Sequence, residues 1–184
     1  MDTIVVSDIF GRTPALEKFC NDLHSTTVKI VDPFDGYFMG FKTESEAYSY
    51  FIENIGLEKY SEILINKFLN SKEKNTLIGF SIGASAIWKA SNVLSKKVIF
   101  NSFCFYGSQI RNFTNIEPNF NVNIILPKEE ETFSVHELEK MITHKQKVTV
   151  YNSNYLHGFM NLYSNNYNKN GYNMYLKWLS QNAI

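Results

Sequence analysis

Apolar residues in this chain gather in short runs separated by longer stretches of helical pattern. Thr3 to Ser7, Thr27 to Val31, Asn75 to Phe80, Val98 to Phe105, Val122 to Leu126 and Val148 to Tyr151 read as buried strands. Pro14 to Leu23, Ala84 to Leu94, Val135 to His144 and Tyr172 to Ser180 read as helices. Residues Glu44 to Asn70 are largely helical with a break at Gly56, a pair placed to cover a site. Short strands alternating with helices predict βαβ units around a parallel sheet, hence the α/β class. No repeat of fixed period interrupts the alternation.

Composition narrows the picture. At 184 residues, without a Pro/Gly/Ser-rich linker, the chain is expected to form one domain. A hydrophobic fraction of 44%, with 15 Phe and 11 Tyr, provides for a globular core rather than disorder. The 18 basic and 18 acidic residues cancel and no basic cluster stands out, which argues against a nucleic-acid partner. No apolar run is long enough to span a membrane, and the start Met1-Asp2-Thr3-Ile4-Val5-Val6 lacks the pattern of a signal peptide. The cytoplasm is the expected compartment. Cys20 and Cys104 fall in a helical and a strand-like pattern, so both read as small buried hydrophobes; neither a disulfide nor a zinc framework is implied.

The chemistry concentrates in Gly79-Phe80-Ser81-Ile82-Gly83. It follows an apolar run and precedes an alanine-rich helix, the setting of a nucleophile elbow. A serine on so sharp a turn is strained, and side chains two residues to either side would collide; glycine removes the collision. Ser81 then needs a base, and the base needs an acid to fix its tautomer. Three histidines follow Ser81. His136 and His144 fall in a predicted helix, whereas His157 stands in a loop past the last strand and is followed by Gly158, so His157 is the expected base. No aspartate occurs after Asp35, so the acid must be a glutamate: Glu117, Glu129, Glu130, Glu131, Glu137 or Glu139. The run from Leu126 to Glu131 leaves a strand at the edge where ligands gather in open α/β sheets, which favours Glu130, then Glu131, then Glu117. Backbone N–H groups for the developing oxyanion are expected from Ile82, directly after the serine, and from Ile9 in the early loop Ser7-Asp8-Ile9-Phe10-Gly11.

With these pieces in place the chain resembles the dienelactone hydrolase family of α/β-hydrolases over nearly its whole length. Val5-Val6-Ser7-Asp8-Ile9-Phe10-Gly11 is similar to the family's early strand and oxyanion loop, the elbow to its nucleophile turn, and His157-Gly158-Phe159 to its histidine loop; Phe105-Tyr106-Gly107 looks like its strand end after the elbow helix. The resemblance implies a compact α/β-hydrolase fold, a mostly parallel sheet with helices on both faces, and hydrolysis of esters or lactones through a covalent acyl-enzyme without metal or organic cofactor. It implies that Ile9 donates to the oxyanion and that Asp8 contacts the resting nucleophile. Two departures stand out: the characteristic enzymes carry cysteine where this chain has Ser81, and glutamate replaces the usual triad aspartate.

Substrate contacts are less marked. Asp8 and Phe10 belong to the oxyanion loop, and the two arginines, Arg12 and Arg111, flank segments of the catalytic edge. Arginine grips a carboxylate bidentately, so either arginine is a candidate anchor for an acidic substrate group. Phe34, Phe38 and Met39 are candidates for an acyl pocket, and Tyr151 and Tyr155 for its wall. The expected activity is carboxylic ester hydrolysis of a small molecule by Ser81, His157 and Glu130. Acyl transfer to another acceptor needs the same residues, and a degenerate hydrolase that only binds is the alternative.

Overall fold

The computed structural model describes residues 1–23, 27–69 and 71–183. In chain order the elements are β1 (Asp2–Val6), α1 (Pro14–Asp22), β2 (Val28–Val31), α2 (Glu44–Asn54), α3 (Gly56–Phe68), β3 (Asn75–Phe80), α4 (Ile82–Ala90), β4 (Ile99–Phe105), β5 (Asn121–Leu126), α5 (Val135–Ile142), β6 (Val148–Asn152) and α6 (Lys169–Asn182). A 3₁₀ turn over Ser108–Asn112 follows β4. The strands form one sheet in the order β2-β1-β3-β4-β5-β6, and every pairing in it is parallel.

The period-two alternation of each strand divides the core between the two faces of the sheet. Ile4, Val6, Leu77, Cys104, Ile124 and Leu126 join a cluster with Phe51 of α2, Tyr60 and Leu64 of α3, Trp88 of α4 and Leu138 of α5. Val5, Ile78, Phe80, Phe103, Phe105 and Ile125 join a second cluster with Phe19 of α1 and with Tyr172, Tyr175 and Leu179 of α6. Burial on both faces explains why β3 reads as a continuous apolar run rather than an alternating one.

Helix starts follow capping chemistry. Thr13, Thr43 and Ser134 each accept a backbone N–H with the side-chain oxygen, a contact worth about 1 kcal/mol. Asn168 does the same for α6, which therefore begins at Lys169 rather than at the expected Tyr172; the polar run before Tyr172 conceals a cap. Helix α4 begins at Ile82, two residues before the expected Ala84, because the elbow turns directly into the helix. Gly56 divides α2 from α3 as expected. The predicted end of that helical stretch, Asn70, lies outside the described residues.

Because all six strands run the same way, their C-terminal ends open on one edge. The loops after β1, β3, β4, β5 and β6 meet there, together with the start of α2.

Candidate active site

The elbow is built by close approach of backbone to backbone. Ser81 has φ 50° and ψ −113°, a conformation strained for any residue with a Cβ. A Cβ on Gly79 would lie 2.6 Å from Ile87 Cδ1 and 2.8 Å from the Ala84 nitrogen. One on Gly83 would run into the carbonyl oxygens of Val6 and Ser7, so the first turn of α4 rests directly on the end of β1. The Ser81 N–H donates to the Phe105 carbonyl at 2.9 Å, tying the turn to β4 as well. Ser81 stands at the N-cap of α4, yet its hydroxyl makes no capping bond and is left free for another partner.

That partner is His157, whose Nε2 lies 2.9 Å from Ser81 Oγ. The other ring nitrogen, Nδ1, lies 2.7 Å from Glu130 Oε1. The three groups form one unbroken line, with the Glu130 side chain only 12% exposed and that of His157 23% exposed. Tyr106 packs its ring 4.9 Å from the imidazole, and Asn166 Nδ2 donates to the His157 carbonyl at 3.0 Å, so both ring and backbone are held.

The other carboxylate candidates lie elsewhere. Glu117 is exposed and pairs with Lys145, Glu129 pairs with Lys128 at 3.8 Å, and Glu137 and Glu139 sit on α5. Glu131 lines the cleft without bonding to His157. Of the other histidines, His136 stands exposed on α5 and His144 lies just beyond its end.

Ser81, His157 and Glu130 open into a cleft of about 720 Å³, and Ile9 and Ile82 line it too. Among the described residues neither the Ile9 nor the Ile82 backbone N–H donates to a protein acceptor. Both are therefore available to an oxygen on the substrate, and the Ile82 N–H adds the positive end of the α4 dipole. Glu44, Ser45 and Tyr48 of α2 reach the same cleft, so the first helix of the pair expected to cover the site lines its wall, while α3 does not. Nothing in the pattern of α2 distinguished those three positions from other solvent-facing ones.

Of the proposed substrate contacts, Arg111 is in the cleft and Arg12 is not. Arg111 donates Nη1 to the Ser108 carbonyl at 2.6 Å and lies 4.7 Å over the Phe133 ring. Arg12 pairs with Glu17 at 2.8 Å, one helical turn along α1, and lines a separate surface groove with Cys20 and Lys67. Phe10 is buried, with its ring 5.9 Å from that of Tyr163, and does not line the cleft. Phe34 packs against Phe41 and Tyr50, Phe38 is exposed under Arg12, and Met39 packs on the core; none of them lines the cleft of Ser81. Tyr151 leans on Trp178 and Tyr155 on Phe159, away from the cleft.

Asp8 departs from its expected role. It makes no hydrogen bond to Ser81: its oxygens are taken by the Phe10 N–H at 3.0 Å and by Asn161 Nδ2 at 2.6 Å, while the serine hydroxyl is taken by His157. Burial pushes the Asp8 carboxyl up to about 6, against the pull of those two hydrogen bonds and of His157. Cys20 and Cys104 are free thiols, both pushed up to about 12 by burial, which leaves them inert. Among the described residues no cluster of His, Cys, Asp and Glu is arranged to hold a metal, and no helix is long and apolar enough to cross a membrane.

This architecture is similar to that of several solved structures. A lipase-esterase related protein from Clostridium acetobutylicum ATCC 824 superposes with a TM-score of 0.65 at 11% identity, covering 100% of this chain and 94% of that one. Dienelactone hydrolase from Anabaena variabilis ATCC 29413 gives 0.66 at 10% identity, with 98% and 83% covered. Est1E from Butyrivibrio proteoclasticus gives 0.62 at 8% identity, with 98% and 85% covered. The chain has the α/β-hydrolase fold. Identities this low establish the fold alone and leave the chemistry to the chain's own residues. In sequence, it is 33% identical over 123 residues to the uncharacterized protein YczH of Bacillus subtilis (strain 168), a match over 65% of this chain that spans 59% of the length of that curated relative. No protein-family model matches the chain.

Proposed function

We propose that this α/β-hydrolase is a dienelactone hydrolase-like serine esterase that cleaves a small carboxylic ester or lactone through an acyl-Ser81 intermediate. The observation that carries the reading is the unbroken line from Ser81 Oγ through His157 to Glu130, at 2.9 and 2.7 Å. His157 Nε2 takes the hydroxyl proton as Ser81 Oγ attacks the carbonyl carbon. Negative charge moves to the carbonyl oxygen, which meets the N–H groups of Ile9 and Ile82. Collapse expels the alcohol oxygen, which receives the proton from His157, and Ser81 is left acylated. Water then enters, gives a proton to His157 and attacks the same carbon; the acid departs and the proton returns to Ser81. Glu130 holds Nδ1–H throughout, fixing the tautomer that leaves Nε2 free to accept.

The test is labelling of the folded protein with a fluorophosphonate probe, followed by mapping of the modified peptide. Attachment at Ser81, absent in Ser81→Ala and slowed in His157→Ala, is the expected result. A well-folded protein that fails to label at Ser81 would refute the reading.

A further inference from the structure

We propose that Asp8 and Asn161 form a polar clasp that fastens the oxyanion loop to the histidine loop, and so act as positioning residues for the chemistry at Ser81. The proposal rests on the ester-hydrolase reading and extends it to two residues that line no part of the cleft. Asp8 directly precedes Ile9, whose N–H is one oxyanion donor. Asn161 follows His157 by little more than a single turn of chain. One carboxylate oxygen of Asp8 stays within its own loop, accepting the Phe10 N–H at 3.0 Å, while the other crosses to Asn161 Nδ2 at 2.6 Å. Asn161 is itself fixed, since its backbone N–H donates to the Gly158 carbonyl at 2.8 Å and its Oδ1 accepts the Tyr163 N–H at 2.8 Å. The Phe10 and Tyr163 rings, 5.9 Å apart, repeat the junction in apolar form.

A carboxylate withdrawn from water between two loops is costly to keep. Its neighbours do little to offset that cost: His157 faces it from one side and Glu44 of α2 from another. Beside the clasp is a cavity of about 20 Å³ lined by Asp8, Asn161, Thr13 and Tyr106, enough for a single water. The Tyr106 hydroxyl is buried next to the Met160 backbone and, among the described residues, closes no hydrogen bond of full geometry. A water in this cavity would link Tyr106, whose ring supports His157, to the same carboxylate.

The polarity of the clasp is fixed, and this makes it testable. Because the Tyr163 N–H occupies Asn161 Oδ1, position 161 can offer Asp8 only its NH₂ group. Asp8→Asn alone sets NH₂ against NH₂, and Asn161→Asp alone sets carboxylate against carboxylate. The exchange Asp8→Asn/Asn161→Asp restores every bond with donor and acceptor reversed across the gap. The experiment compares the four proteins by their rate of phosphonylation with the fluorophosphonate, by kcat and KM on p-nitrophenyl acetate, and by Tm. Each single variant is expected to lose roughly 10- to 100-fold in phosphonylation rate and in kcat, with KM little changed, as follows from displacing a donor by up to about 1 Å. The exchange is expected to recover to within about threefold of wild type, a coupling only direct partners produce. Single variants as reactive as wild type, or an exchange no better than the singles, would overturn the clasp while leaving the esterase reading intact. A wild-type protein that does not label at Ser81 would overturn both.

Discussion

Two carboxylates stand on loops of the same sheet edge, both largely withdrawn from water, and they are partnered in opposite ways. Glu130, after β5, faces the Nδ1 of His157, a group that gains charge in the proposed mechanism when it accepts the serine proton. Asp8, after β1, is bonded to a backbone N–H and a side-chain amide, neither of which ever becomes a cation. A carboxylate whose partner acquires positive charge during reaction contributes most at that moment. One bonded to neutral donors contributes the same fixed geometry before, during and after.

The sharpest way to break the comparison is Glu130→Gln. It keeps the shape but lets an amide present NH₂ to Nδ1, which turns the imidazole to the wrong tautomer, so kcat should fall by roughly 10³- to 10⁴-fold with KM little changed. A loss no larger than that of Asp8→Asn would show that the two carboxylates do the same work. The next largest effect is on stability. The Asp8 carboxyl keeps its proton up to about 6 in the folded protein, against 3.8 for the ordinary side chain. Between these values the native state binds more proton than the unfolded state, so this group makes stability fall as pH rises through the window, by about 3 kcal/mol in total, and level off above it. Glu44, His157 and Tyr106 face the same carboxyl, and Asp8→Asn removes only its own contribution. Denaturant unfolding of wild type and Asp8→Asn at a series of pH values from about 4 to 7 should therefore give a difference curve that tilts against wild type as pH rises; a flat or opposite tilt would refute the assignment. The smallest effect sharpens the comparison from outside. Glu117→Gln should leave kcat/KM within about twofold, since Glu117 is tied to Lys145 away from the cleft.

The elbow and the histidine were legible in the sequence because backbone sterics and topology dictate them. Gly79 and Gly83 are demanded by atoms that a Cβ would strike, and a loop after a strand's C-terminal end is where His157 has to be. Glu130 was reached by elimination, and what distinguishes it from Glu129 and Glu131 is the path of one loop, which no periodicity records. Arg12 was misread because the helix that follows it supplies its own partner one turn on, at Glu17. Asn161 was missed altogether: an asparagine in an asparagine-rich loop carries no signal until Asp8 is found opposite it, far away in the chain. Alternation of apolar runs with helical stretches pointed to parallel βαβ units and the resemblance to a mostly parallel sheet covered on both faces; the sheet is parallel throughout, while helix ends were displaced wherever a polar cap or the elbow set them.

The pairing of β1 with β3 sets Val6 beside Gly79, so the loop carrying Ile9 and the turn carrying Ser81 are neighbours across a hydrogen-bonded seam. The chain from α1 through β2, α2 and α3, which follows the loop of Ile9, forms an excursion that leaves the seam and returns to it. That excursion sends Glu44, Ser45 and Tyr48 to the cleft wall but contributes neither of the two N–H groups nor any member of the Ser81, His157 and Glu130 line. Lengthening a loop costs little, about 0.6 kcal/mol for each doubling. The cleft wall supplied by α2 can therefore be lengthened or recomposed at small cost, while the seam of β1 and β3 and the line of Ser81, His157 and Glu130 stay as they are.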